Sequence, residues 1–259
     1  MNAMPLEVDK RCMLQCEEET KPRIGTDGKQ SMATVFAVAT PKGGSGKTTL
    51  SILLAGELAH QGYNTAIIDA DPQGSAFQWY ATSKQRKIEV PGINVIQASD
   101  EDNIRKKVVE LDNLDAIVID LPGFADQRLS NAFLDADLVV IPTKISLLDA
   151  TQVVRTVRYI HDQAGRLKMK PPNYRAVLNE YDAIERNTSA VKEVAAYFSD
   201  NKIKICDAVI FKRPTFRAMT NGYGTLYQMK DSDEAVKRAR TNSDHVVREL
   251  LSAIEGDEQ

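Results

Sequence analysis

No stretch of the 259-residue sequence approaches the eighteen or more consecutive apolar residues of a membrane span, and its first residues lack the apolar centre of a secretory signal. Cysteine is scarce. Cys12 and Cys16 stand in a polar N-terminal stretch and Cys206 stands alone, which supplies neither a disulfide framework nor a four-ligand metal site. Cys12 and Cys16 are spaced as on one helical face, a spacing open to metal binding or cross-linking, but with no partner ligands they read as two ordinary thiols. Charge of one sign is missing as well: 33 Lys+Arg against 36 Asp+Glu leave a net charge of -3, so any attraction to nucleic acid or anionic lipid must come from a local patch. These absences predict a cytoplasmic protein. What is present, 42% hydrophobic and 27% charged residues over a chain of this length, suits one large α/β domain with a buried core.

Residues 1–31 mix charges of both signs and show no sustained apolar period, so they are expected to be a flexible or partly ordered extension, with a single domain over 32–259. Within that domain, short Val/Ile-rich runs alternate with helical patterns. Strands are predicted at 35–39, 65–69, 93–97, 116–120, 138–142, 176–178 and 203–210, with helices at 50–61, 101–111, 150–163, 188–198 and from about 232. Near-continuous apolar strands are strands covered on both faces. With helical crossovers between them, they predict a doubly wound, mainly parallel sheet with helices on both faces.

The chemistry gathers at Lys42-Gly43-Gly44-Ser45-Gly46-Lys47-Thr48-Thr49, between the first strand and the first helix. Glycines there let backbone N–H groups turn towards an anion, the helix N-terminus adds partial positive charge, and Lys47 can reach β- and γ-phosphates. Thr48 would offer its hydroxyl to Mg²⁺. The ordinary phosphate-loop pattern needs a glycine where this chain has Pro41, so the loop is a variant, and it carries a second lysine, Lys42. In open α/β sheets ligands bind outside the carboxyl ends of the strands, which is where Asp69, Asp71, Asp120 and Asn179 also fall. Asp120 would hold the Mg²⁺ shell, with a strand-end cap as the plainer reading. Taken alone, Lys42 reads as a solvated loop residue and Asp71 as a turn residue before Pro72.

The loop, together with Asp69-Ala-Asp-Pro-Gln73 and Ile119-Asp-Leu-Pro122, resembles the deviant Walker A ATPases and, among them, the ParA partition family, over about Val35 to Leu251. The resemblance implies a P-loop NTPase-like fold, ATP and Mg²⁺ as ligands, and a homodimer that sandwiches ATP. It implies that Lys42 reaches the other subunit's nucleotide, that Asp71 positions the attacking water, that Asp69 supports the Mg²⁺ side, and that Asn179 lies beside adenine. Phe211-Lys-Arg-Pro214 is similar in place to the segment flanking adenine, and a plain surface turn is the alternative for it. Asp120-Leu-Pro-Gly123 departs from the family's usual aspartate, small residue and two prolines.

From Asn201 to Arg248 there are ten Lys/Arg against five Asp/Glu. On the last helix Lys237, Arg240 and Arg248 fall within about 80° of one another, a basic stripe that is either a solvated face or a DNA contact; Lys212, Arg213 and Arg217 serve either DNA or the nucleotide. The family resemblance implies nonspecific double-stranded DNA binding, association with the nucleoid in the ATP state, slow hydrolysis stimulated by a ParB-like centromere-binding partner, and movement of a plasmid or chromosome origin. A related positioning ATPase for a conjugation complex, chemoreceptor cluster or microcompartment is the alternative. A MinD-like membrane ATPase fits less well, because Glu255-Gly-Asp-Glu-Gln259 would be repelled by anionic lipid. An iron-sulfur reductase would need paired cysteines, and a separate helix-turn-helix domain would need more than 31 preceding residues.

Overall fold

The computed structural model describes residues 33–98, 104–123 and 136–255. The expected N-terminal extension lies outside them. Six strands, β1 (Thr34–Val38), β2 (Thr65–Asp69), β3 (Ile93–Gln97), β4 (Ala116–Asp120), β5 (Leu138–Thr143) and β6 (Asn173–Leu178), form one all-parallel sheet in the order β3-β2-β4-β1-β5-β6. Among the described residues the α-helices are α1 (Lys47–His60), α2 (Ser75–Gln85), α3 (Ile104–Glu110), α4 (Leu147–Arg166), α5 (Ser189–Asp200), α6 (Pro214–Thr220) and α7 (Glu234–Glu255). Of the helix expected at 101–111, residues 101–103 lie outside the described residues.

The alternation along each strand builds two cores. Phe36, Val38, Val118 and Val140 pack with Leu50, Leu53 and Leu54 of α1 and with Val246 and Leu250 of α7. Ala37, Ile117, Ile119, Val139 and Ile141 meet Val153, Val157 and Ile160 of α4 and Val194 and Phe198 of α5 on the other face. Each fully buried aliphatic side chain is worth about 1.5–3 kcal/mol against exposure, so the sheet is pinned from both sides. That is the doubly wound arrangement the Val/Ile runs predict.

Three segments differ from the sequence expectation. Residues 203–210 do not form a seventh strand. They follow the edge of β6 with one bridge, Ala176 to Ile205, and the ladder is interrupted where the N–H groups of Asp207 and Ala208 donate to the Glu249 carboxylate of α7, each at 2.8 Å, before Ile210 N returns to the Leu178 carbonyl at 2.8 Å. Helix α2 has a weak sequence signal: only Ala76, Trp79 and Ser83 are buried along it. Helix α6 starts on Pro214, whose fixed φ suits the first helical position; its seven residues are too short for a legible period.

Candidate functional site

Parallel register sets the site. Val38 at the end of β1 and Asp69 at the end of β2 both lie opposite Asp120 at the end of β4, so the glycine loop leaves the sheet beside two carboxylates. Gly46 precedes α1 with φ 96° and offers no side-chain cap, which leaves the first helical N–H groups to face whatever lies in the loop. A Cβ on Gly46 would stand 1.8 Å from Asn179 Nδ2, so any other residue there would strain the backbone and push the Asn179 amide off the loop. Asn179, only 4% exposed, in turn donates from Nδ2 to the Ser45 carbonyl at 2.8 Å and ties β6 to the loop. Gly43 and Gly44 face open space.

Two groups in this cradle lack the partners that burial demands. Ser45 Oγ is buried without a hydrogen bond, and Lys47, 9% exposed, forms no ion pair among the described residues. An unpaired buried cation and an orphaned hydroxyl beside bare helix N–H groups fit a polyanion such as a nucleotide's phosphates. Thr48 Oγ1 donates to Asp120 Oδ2 at 2.7 Å and Ser51 Oγ to Asp120 Oδ1 at 3.2 Å. A hydroxyl and a carboxylate in contact form a hard-oxygen donor set of the kind Mg²⁺ takes while keeping several waters. Thr48 and Asp120 would hold the metal, which would neutralise phosphate charge.

Burial pushes the Asp120 carboxyl up to about 7; the Thr48 hydrogen bond opposes this, the Asp69 carboxylate adds to it, and Lys47 counters. In the unfolded chain an aspartate titrates near 4, so between about pH 4 and 7 the folded state holds the extra proton and stability falls as pH rises. For the metal-free protein the loss between about pH 5.5 and 8 is on the order of 2 kcal/mol. Thermal unfolding at those two pH values is expected to show it, with Mg²⁺ restoring stability at the higher pH and Asp120→Asn showing neither response. An Asp120→Asn protein with the wild-type pH dependence would place the effect elsewhere.

Asp69 is fully buried and its carboxyl is also raised by burial, against hydrogen bonds from backbone N–H groups. Its Oδ2 accepts from Phe77 N at 2.8 Å and its Oδ1 from Asp71 N at 3.3 Å, so it caps α2 from a distance while sitting beside Asp120. Asp71, at the mouth, accepts from Gln73 N at 3.0 Å. Gly123 packs under the start of the loop, where a Cβ would meet the Pro41 carbonyl at 3.2 Å. Lys42, 42% exposed in its side chain, reaches sideways to Asp149 Oδ1 at 2.7 Å.

Beside the loop, Thr49, Asn179, Asp182, Arg213, Pro214 and Arg217 line a cavity of about 340 Å³. Lys212 lines it too. The stripe on α7 is arranged differently: Lys237 pairs with Glu234 at 2.8 Å and Arg248 with Asp244 at 2.7 Å. Arg240 pairs with Asp231, donates to the Leu226 and Met229 carbonyls at 3.0 Å, and lies over the Tyr227 ring. It braces the chain before α7.

The profile of the family described as CobQ/CobB/MinD/ParA nucleotide binding domain matches residues 36–224. The chain belongs to the MinD/ParA family. Protein ParA of Rhizobium radiobacter is 30% identical over 227 residues, covering 85% of this chain and 99% of that protein. The chromosome partitioning protein ParA of Caulobacter vibrioides is 27% identical over 258 residues, covering 80% and 95%. Among solved structures, an ATP complex of McdA from Cyanothece superposes with a TM-score of 0.67 at 17% identity, covering 86% of this chain and 98% of that one, a likeness of fold.

For a MinD/ParA-family chain, two features of the site escape sequence reasoning. Asp149, the buried partner of Lys42, sits in the first turn of α4, where its N–H donates to the capping Ser146 Oγ at 3.0 Å; the Ser146-x-x-Asp149 spacing is a capping signal that marks it. Ser51, buried on α1 and bonded to Asp120, carries no signal beyond its place one turn after Lys47. No helix among the described residues is long and apolar enough to cross a membrane.

Proposed function

We propose that this protein is a partition ATPase that forms a homodimer around ATP and Mg²⁺, binds double-stranded DNA without sequence preference, and hydrolyses ATP slowly until a ParB-like, centromere-binding partner accelerates it. The observation that carries the reading is the convergence of Lys42, Lys47, Thr48, Asp69, Asp71 and Asp120 at the carboxyl ends of β1, β2 and β4. Phosphoryl transfer to water needs positioning and charge neutralisation more than covalent chemistry. Lys47 and the loop amides neutralise and hold the phosphates. Asp71, at the open mouth, orients the water that attacks the terminal phosphorus as the bond to the leaving ADP oxygen breaks, and Lys42 adds charge from the second subunit. Asn179 and Pro214 border the base, which favours the nucleoside side of the cavity for adenine.

Partition is preferred to another cargo because two relatives that cover 80% or more of the chain are named Protein ParA and chromosome partitioning protein ParA, whereas the carboxysome-distribution relatives match over 49% of it. The soluble, nucleoid-associated cycle and the partner belong to the same proposal. Its test is Asp71→Ala. This variant should bind ATP within about twofold of wild type and still dimerise, while turnover falls by about a hundredfold or more, the scale of losing a water-positioning group. Phosphate release at wild-type rate would move that role to another residue.

A further inference from the structure

We infer that the DNA contact lies at the C-terminal end of α2 and the turn after α6, where Lys84, Arg86 and Lys87 form a phosphate-gripping face with Tyr80 and Tyr223, and not on α7. The inference rests on the DNA-binding reading above and adds a location to it. Two acid-free stretches meet here: residues 72–88 carry Lys84, Arg86 and Lys87 with no Asp or Glu, and residues 208–230 carry Lys212, Arg213, Arg217 and Lys230 with none. They are clamped together. Trp79 Nε1 donates to the Gly224 carbonyl and Gly224 N to Ser83 Oγ, both at 3.2 Å, and Gly222 approaches so closely that a Cβ would stand 2.5 Å from Thr82 Cγ2.

On the outer side of this clamp the cations rest on rings instead of carboxylates. The Arg86 guanidinium lies 4.1 Å from the centre of the Tyr223 ring and the Lys84 ammonium 4.4 Å from that of Tyr80. Stacking occupies a guanidinium's face and leaves its N–H edge free to fork onto a phosphate, and it holds the side chain in place beforehand. Among the described residues neither cation forms an ion pair. On α7, by contrast, each cation of the stripe already has a carboxylate partner, which a phosphate would have to displace. Basic residues at a helix C-terminus are ordinary in themselves, since they complement the macrodipole. Lys168 and Lys202 hold left-handed positions much like that of Lys87, with φ of 55°, 54° and 59°. The stacked rings and the second acid-free segment are what the other two helix ends lack among the described residues. The nearest carboxylate in sequence is Glu89, just beyond the first stretch.

The test uses the full chain with ATP and Mg²⁺ and a random-sequence duplex, titrated at several salt concentrations. Lys84→Ala/Arg86→Ala should weaken binding about tenfold or more and lower the slope of log K against log salt by about two. Lys237→Ala/Arg248→Ala should stay within about twofold of wild type. Tyr223→Leu, which keeps every charge, should lose affinity severalfold. All of these positions, Tyr223 included, are exposed and none lines the nucleotide site, so unchanged ATP affinity certifies the fold. If wild type binds the duplex and the α2 variant binds equally well, the location is wrong while the DNA reading stands. If wild type does not bind the duplex at low salt, the DNA reading falls, and the location with it.

Discussion

Replacing Lys47 with alanine is expected to abolish measurable ATP binding. Lys47 is buried, forms no ion pair among the described residues, and stands where the loop amides converge. Truncating one partner of a buried charge pair costs about 2–5 kcal/mol, or about thirtyfold to several thousandfold in affinity. Calorimetric titration with ATP and Mg²⁺ reads the loss. A second readout separates it from misfolding: without nucleotide, Lys47 is a buried cation near a partly protonated Asp120, so the alanine variant should unfold at the same temperature as wild type or higher. Wild-type ATP affinity in Lys47→Ala would remove the loop from the account.

Lys42→Ala should have the opposite profile, with ATP affinity within a few-fold of wild type and ATP-dependent dimerisation weakened about a hundredfold or more. In the single chain Lys42 points to Asp149, not into its own phosphate cradle. Its charge is therefore unavailable to the nucleotide in cis. Exchanging one carboxylate for a second subunit's polyphosphate is an electrostatically favourable move in a closed, low-dielectric interface. Because Lys42 is well exposed and Asp149 keeps its contacts with Ser146, the substitution should change stability little. Loss of ATP binding in Lys42→Ala would mean that the lysine serves its own loop.

The sheet was legible because β1, β2, β4 and β5 are fully buried, and burial on both faces forces the near-continuous Val/Ile runs that sequence displays. The end of the sheet that carries the candidate site followed from it, since parallel strand polarity brings Asp69 and Asp120 together. Residues 203–210 misled because their composition suits a strand, whereas the competing Glu249 carboxylate lies some forty residues away and takes the N–H groups the ladder needed. The basic stripe of α7 shows what a helical wheel omits. Helical angles place Lys237, Arg240 and Arg248 on one side, but Asp231 and the carbonyls that engage Arg240 come from the loop before the helix, which angular reasoning leaves out. The stacking of Arg86 on Tyr223 has no sequence signal, because the ring is brought to it only by the turn after α6.

The central claim is that ATP, held by the Lys47 loop, joins two copies of this chain. Light-scattering mass of the Asp71→Ala protein, in which turnover is arrested, tests it most directly. The expected result is a doubled mass with ATP and Mg²⁺, the single-chain mass with ADP and Mg²⁺, and the single-chain mass with ATP when Lys42→Ala is added. A single-chain mass at saturating ATP, or a doubled mass that ignores both the nucleotide and Lys42, would contradict it.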